Sequence, residues 1–256
     1  CMKVDQGVEI HHHGDMPART GLGSSSAFTV GLLHAVHALR GELVSKRALA
    51  EQAIYVEQTV LKENVGVQDQ IQSAFGGLNR IDIRQDSSFE VTPLVVQADR
   101  LASLQNHLLL LYTGLSRHAS EIAAEQVATM DQKTSELKAM RAMVDEGERI
   151  LASRGSLRDF GRLLHDSWEL KRSLSSKIAP ASVNEIYDTA RKAGADGGKL
   201  LGAGGGGFML IFVEPERRAA VLRALDKLLP VPFQFERGGT QLVLYEAETM
   251  GGGQAG

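Results

Sequence analysis

Cysteine is almost absent from this sequence: Cys1 is the only one in 256 residues. A single thiol builds neither an internal disulfide framework nor a cysteine zinc cluster, and it fits a reducing, cytoplasmic setting. Proline is scarce at 6 residues, which excludes collagen and proline-rich disorder despite a high glycine count. Neither charge dominates, since 28 Lys and Arg face 31 Asp and Glu for a net charge of −3. Nucleic acid and anionic membrane both want a clear basic excess, so neither is expected as an obligatory partner, although a local basic pocket stays open. Long apolar runs are missing as well. The stretches at 108–111 and 208–213 are strand-sized against the roughly 20 residues that span a bilayer, and no signal-peptide pattern stands out.

Glycine is what the chain has in excess, 27 residues, or about one in ten against an average nearer 7%. Eight of them lie between Gly194 and Gly207, and Gly21 and Gly23 form a second group. Around these groups the pattern mixes helices and strands without regular alternation, which reads as α+β. Val4, Gly7, Val8 and Ile10 read as the end of a strand. His11, His12 and His13 follow, but neighbours on an extended segment point to opposite faces, which disfavours a metal site. Helices are expected over 24–40, from Ser45 to about 61, over a short stretch from 68, over 116–150, 157–173, 180–193 and 215–229. Strands are expected at 78–83, 89–96, 108–112 and 208–213, with one or two more in 233–245; 251–256 reads as a disordered tail.

The first glycine group sits in Pro17-Ala18-Arg19-Thr20-Gly21-Leu22-Gly23-Ser24-Ser25-Ser26-Ala27, ahead of apolar residues at helical spacing. A glycine loop that opens a helix is a ready anion site, because its backbone can approach closely and its free N–H groups point at the ligand. Three serines add hydroxyls that can cap the helix, touch phosphate or ligate magnesium. An ordinary turn with an N-cap accounts for one Gly and one Ser, not for two and three together. A Walker loop is excluded because no Lys-Ser or Lys-Thr follows the last glycine. The string Gly202-x-Gly204-x-x-Gly207 has the dinucleotide-binding spacing, but it is expected to follow a helix and open a strand, the reverse of what that motif needs.

These segments resemble the signatures of a known family. The first run looks like the second signature of the GHMP kinases, and Lys199-Leu200-Leu201-Gly202-Ala203-Gly204-Gly205-Gly206-Gly207 looks like their third, in the right order. The resemblance implies a two-domain α+β fold, with a ribosomal protein S5 domain 2-like N-terminal domain at 1–100 and a ferredoxin-like C-terminal domain at 101–248, before a tail at 249–256. It also implies ATP and magnesium. ATP is then expected on Gly21, Leu22, Gly23, Ser24, Ser25, Ser26, Gly204 and Gly205, with Ser25 and Glu57 as metal ligands and Asp69 as the catalytic carboxylate. Taken without the resemblance, Glu57 reads as a surface helix acid and Asp69 as a helix N-cap.

The runs 65–70, 74–79 and 163–171 look most like the heptose-phosphate kinase branch, which implies phosphorylation of the anomeric hydroxyl of a heptose 7-phosphate. Its phosphate needs a basic anchor, for which Lys171, Arg172, Lys177 and Arg117 are candidates, with Gly202 and Ala203 also at the acceptor. Solvated helix charge explains the same residues, and Trp168 suits the site or the core. Nothing before Val8 supplies the family's first signature, so the resemblance implies a fragment lacking some tens of residues. Another sugar-1-kinase, acting on fucose or a related hexose, and a non-catalytic nucleotide-binding module are the competing readings; a homodimer is compatible with any of them.

Overall fold

The computed structural model describes residues 4, 7–16, 21–115 and 119–246. Pro17, Ala18, Arg19 and Thr20 of the first glycine run, Arg117 and the tail at 249–256 lie outside the described residues.

The first unit is built from α1 (Ser24–Leu39), α2 (Lys46–Ile54) and α3 (Gln68–Phe75), with the antiparallel hairpin of β1 (Asn79–Ile83) and β2 (Phe89–Pro93). Helix α2 begins at Ser45, whose hydroxyl accepts the Ala48 N–H at 3.1 Å. Val30, Leu49, Ala50, Ala53, Ile71, Ala74 and Phe89 form its core, and the alanines let the helices approach closely. Beyond Ile54 the helix widens into a π-helical turn, Tyr55–Val60. Such turns shift the phase of the side chains and recur at functional sites.

The second unit follows as α4 (Ala98–His107), β3 (Leu108–Tyr112), α5 (Ala119–Thr129), a 3-10 turn at Met130–Lys133, α6 (Thr134–Ala152), α7 (Arg158–Ser173) and α8 (Ala181–Lys192). Next come β4 (Gly197–Leu200), β5 (Phe208–Phe212), α9 (Arg218–Ala224) after a 3-10 turn, and β6 (Leu229–Val231). The sheet runs β4-β5-β3-β6 with every pair antiparallel, which is the ferredoxin-like order expected. Strand alternation divides its two faces. Leu109, Leu111, Leu200, Met209 and Ile211 pack with Trp168, Val183 and Tyr187 on one side. Leu108, Leu210 and Phe212 pack with Leu104, Leu151 and Leu157 on the other. Trp168 is therefore a core residue.

Several elements differ from expectation. The helix expected over 116–150 is α5 and α6 joined by the 3-10 turn, and that expected over 215–229 ends at Ala224 because the chain must turn into β6. Among the described residues before Gly14 none forms a strand and all are exposed, and His11 pairs with Glu9 at 2.9 Å. No strand forms in 233–245. Phe233 and Phe235 turn inward beside Leu104, and the Glu236 carboxylate then accepts the N–H groups of Arg237 and Gly238 in a turn. This segment returns to the first unit: Gly77 N donates to Glu236 O at 2.9 Å and Thr240 N to Ser73 O at 2.9 Å. The domain limits expected at 100/101 cut through α4.

Strand β4 lies where only a glycine loop was expected, so the glycine-rich string follows a strand rather than a helix. It still opens β5 and not a helix, which keeps it apart from the dinucleotide motif. The two glycines at the start of β4 answer to packing. A Cβ on Gly197 would overlap the Gly161 carbonyl of α7 and lie 2.9 Å from His165 N. Gly197→Ala is expected to destabilise the protein by about 1–3 kcal/mol through overpacking; an unchanged chemical-denaturation midpoint would show that α7 can retreat.

Candidate active site

Gly23 takes a left-handed conformation, φ 70°, and starts α1 without any side-chain cap or acidic residue in the first turn. Of the roles open to the serines that follow, capping is not taken up. Two of the hydroxyls turn to Glu57: Ser25 Oγ donates to Oε1 at 3.1 Å and Ser26 Oγ to Oε2 at 2.9 Å. Thr29 Oγ1 donates to Oε1 at 3.2 Å, and Gln70 Nε2 donates to Oε2. Four donors thus hold a carboxylate that is only 2% exposed, on the π-helical turn. The Gln70 Oε1 beside it is buried and has no partner among the described residues.

Asp69 lies in the first turn of α3 and packs on the same loop, since a Cβ added to Gly23 would stand 3.2 Å from Asp69 Cβ and Cγ. The second glycine loop closes the other side. A Cβ on Gly202 would stand 2.7 Å from Gly21 Cα, and one on Gly21 would meet Leu201 O at 3.0 Å. The two glycine loops therefore meet at backbone contact distance although more than a hundred residues separate them in sequence, and the Asp69 side chain packs on the first of them. Gly204 and Gly205 shape the loop against Ile178: Gly205 N donates to Ile178 O at 2.9 Å. Its N–H is spent on the fold.

Among the basic candidates, Lys171 reaches this junction, its Nζ donating to Gly202 O at 2.6 Å. Lys177 pairs with Glu125 at 2.6 Å, and Arg172 binds Glu169 at 2.6 Å and Asn184 at 3.3 Å. Lys199, Thr29 and Gln70 were not expected at the site. Gln70 adjoins Asp69 and Lys199 opens the third signature, but nothing in their spacing marks them.

Burial, then the Glu57 charge, raise the Asp69 carboxyl above its ordinary value, with Lys171 opposing. Burial and the neighbouring Lys199 bring the Lys171 ammonium down to about 7, with Asp69 opposing. Burial also lowers Lys199. A desolvated carboxylate facing a desolvated amine between two glycine loops can accept a proton from a hydroxyl and stabilise an anion. No cluster of three or more His, Cys, Asp or Glu that could hold a metal exists among the described residues. Ser25 and Glu57 offer hard oxygen donors only, a set suited to a cation whose shell is completed by water and phosphate.

Two family models match the chain: the GHMP kinases N terminal domain over residues 1–77 and the GHMP kinases C terminal over 148–231. A D-glycero-alpha-D-manno-heptose 7-phosphate kinase from Campylobacter jejuni is 29% identical over 220 residues, 85% of this chain and 65% of its own length. The L-fucokinase/L-fucose-1-P guanylyltransferase of Bacteroides fragilis is 31% identical, covering 88% of this chain and 24% of that protein. The chain thus spans less than two thirds of these relatives. A crystal structure described as a D-glycero-D-manno-heptose 1-phosphate kinase from Bacteroides thetaiotaomicron superposes with a TM-score of 0.63 at 29% identity, covering 91% of this chain and 67% of that one. No helix among the described residues is long and apolar enough to cross a membrane.

The lysine has a consequence for stability. Between pH about 7 and 10.5 the unfolded chain keeps a proton on Lys171 that the folded protein has lost. Stability from this group therefore rises with pH across that window and is lowest below it. Lys171→Met should raise the melting temperature more at pH 6 than at pH 9.5. An equal change at both pH values would remove desolvation as the cause.

Proposed function

As the chain belongs to the GHMP kinase family, we propose that it transfers the γ-phosphate of ATP to the anomeric hydroxyl of D-glycero-D-manno-heptose 7-phosphate, giving the 1,7-bisphosphate. The observation that carries the reading is the contact of Gly21 with Gly202 and of Gly23 with Asp69, which brings a half-buried carboxyl to the place where the two glycine loops meet. The similarity to the Campylobacter jejuni and Bacteroides thetaiotaomicron proteins supports the heptose phosphate.

In this reading Gly21, Leu22, Gly23, Ser24, Ser25 and Ser26 receive the nucleotide phosphates, aided by an uncapped helix start. Gly204 and Gly205 set the shape of the opposite wall through Ile178. Gly202, Ala203 and Lys171 border the acceptor. Ser25 and Glu57 would hold a magnesium ion, which supplies charge neutralisation on the phosphates when bound. Asp69 takes the acceptor proton as the acceptor oxygen bonds to the γ-phosphorus and the bond to the bridging oxygen breaks. Its raised pKa suits a base, because a more basic carboxylate accepts a proton more readily once ionised.

Asp69→Asn should lower turnover at least about 100-fold, the lower range for general-base loss, while ATP affinity by calorimetry changes less than about threefold. Turnover within tenfold of the wild type would remove Asp69 as base. The wild-type acid limb of kcat should lie above the usual carboxylate range, since the base works only when ionised. Substrate identity is tested with a coupled ADP-release assay on heptose 7-phosphate, free heptose and L-fucose. A higher kcat/KM for fucose would replace the heptose phosphate reading with that of a fucokinase-type enzyme.

A further inference from the structure

Residues 236–240 touch α1, α2 and α3, in each case away from the site. Thr240 N donates to Ser73 O at 2.9 Å and Gly77 N to Glu236 O at 2.9 Å, on either side of the end of α3. Between these bonds Gly76 and Gly239 meet backbone to backbone. A Cβ on Gly76 would overlap Gly239 N, and one on Gly239 would stand 2.5 Å from Ala74 O. Lys46, the first residue of α2, donates from Nζ to Phe75 O and to Gly238 O, both at 2.8 Å. Thr240 Oγ1 hydrogen-bonds His34 Nδ1 of α1 at 3.2 Å. The other ends of these helices carry the site: Ser25 and Ser26 open α1, Glu57 stands on the turn that continues α2, and Asp69 and Gln70 open α3. At 1.5 Å of rise per residue, the segment grips the helices about 9 to 16 Å from those groups.

We propose that residues 236–240 are a strap that positions the site from behind, with Lys46, Gly239 and Thr240 as its positioning residues. The inference rests on the kinase reading above, because it is Asp69 that the strap aligns with the acceptor hydroxyl. The strap is itself fixed in the second unit. Phe233 and Phe235 pack beside Leu104, Gln105 Nε2 donates to Phe233 O at 3.0 Å, and Phe235 N donates to Gln105 Oε1 at 3.2 Å. The two units thus meet at Gly21 and Gly202 beside the site and again at the strap behind it. A close-packed helix of eight residues transmits a displacement along its length. A shift at Gly76 is therefore carried to Asp69 and to the Gln70 amide that donates to Glu57. Gly239 is required for the fit, since its φ is 65° and no Cβ has room against Ala74 O. Lys46 adds a charge-assisted bond at the carbonyl end of α3, where the helix dipole favours a cation.

The test compares the wild type with Gly239→Ala, Lys46→Met, Lys46→Arg and Arg80→Met, each well below its melting temperature. In the coupled assay Gly239→Ala should lose about 100-fold in kcat, the effect of a misplacement of about 1 Å made away from the chemistry, and Lys46→Met about tenfold. ATP affinity by calorimetry should stay within about threefold in both, and Lys46→Arg should regain most of the loss. Arg80→Met removes ion pairs that join β1 to α6 without gripping the three helices, and its kcat should stay within about twofold. Hydrogen exchange read by peptide should quicken over 68–77 in Gly239→Ala and Lys46→Met and stay unchanged over β5. The Lys46 side chain is exposed, so Lys46→Met carries the test where Gly239→Ala fails to fold. Wild-type kcat in Lys46→Met, an equal loss in Arg80→Met, no recovery with Arg, or unchanged exchange over 68–77 would overturn the proposal. If exchange responds as expected while the wild type phosphorylates no sugar, the kinase reading fails and the strap stands.

Discussion

The backbone of Gly21 rests against the backbone of Gly202, at a spacing that admits no Cβ on Gly202 and only a tight one on Gly21. That contact joins a loop of the first unit to a loop of the second, and the rest of the site depends on it. Gly23 can then turn left-handed into α1 with Asp69 packed behind it. The serine-rich first turn faces Glu57, and Lys171 closes the far side on the Gly202 carbonyl. A side chain at Gly202 would force the loops apart, and one at Gly21 would add left-handed strain to a tight contact, in a place where small shifts separate groups that must act within hydrogen-bond reach.

The two carboxylates at this junction live in opposite surroundings, and that difference divides their work. Glu57 is buried but fully supplied with donors from Ser25, Ser26, Thr29 and Gln70. A carboxylate so held is fixed in direction, which suits a ligand for a hard cation better than a group that must pick up a proton. Asp69 is desolvated, feels the Glu57 charge, and has only a lysine on the other side to relieve it. Its proton affinity is raised. Placing the acids one helix apart in sequence and on two packed helices in space is what lets the same fold make one rigid and the other reactive.

Much of this was legible in the sequence, and the parts that were not share a cause. The glycine runs and the serines form local strings whose chemistry reads without a fold, whereas Glu57 and Asp69 were singled out only by the resemblance. The ferredoxin-like order was implied by resemblance and is present in the sheet. Strand β4 was not legible, because Gly197 and Gly198 carry no strand propensity and are there to let α7 and β5 approach. Helix α4 offers only Leu101 and Leu104 as apolar signal, too few for a periodic pattern. The segment 233–245 has the alternation of a strand, but Phe233 and Phe235 are claimed by the core beside Leu104 before a ladder can form. Lys199 and Gln70 gain their meaning only from neighbours far along the chain, which no spacing rule reports.

Stability and function pull against each other most clearly at the lysines. A fold selected for stability alone would fill the Lys171 and Lys199 positions with apolar side chains, since both ammoniums are desolvated and one repels the other. The protein keeps Lys171 beside a carboxylate that is itself desolvated, in a junction where the backbone has already surrendered its freedom to glycine. In the proposed kinase reading that cost falls away once phosphate is bound, because the ligand brings the charge that the protein withholds. Binding energy is thus drawn from relief of a strain built into the folded state, and the relief is greatest for the most highly charged arrangement of phosphate that the site meets. In phosphoryl transfer that arrangement arises between nucleotide and acceptor, so a site kept short of anionic charge favours the transfer over mere retention of the nucleotide.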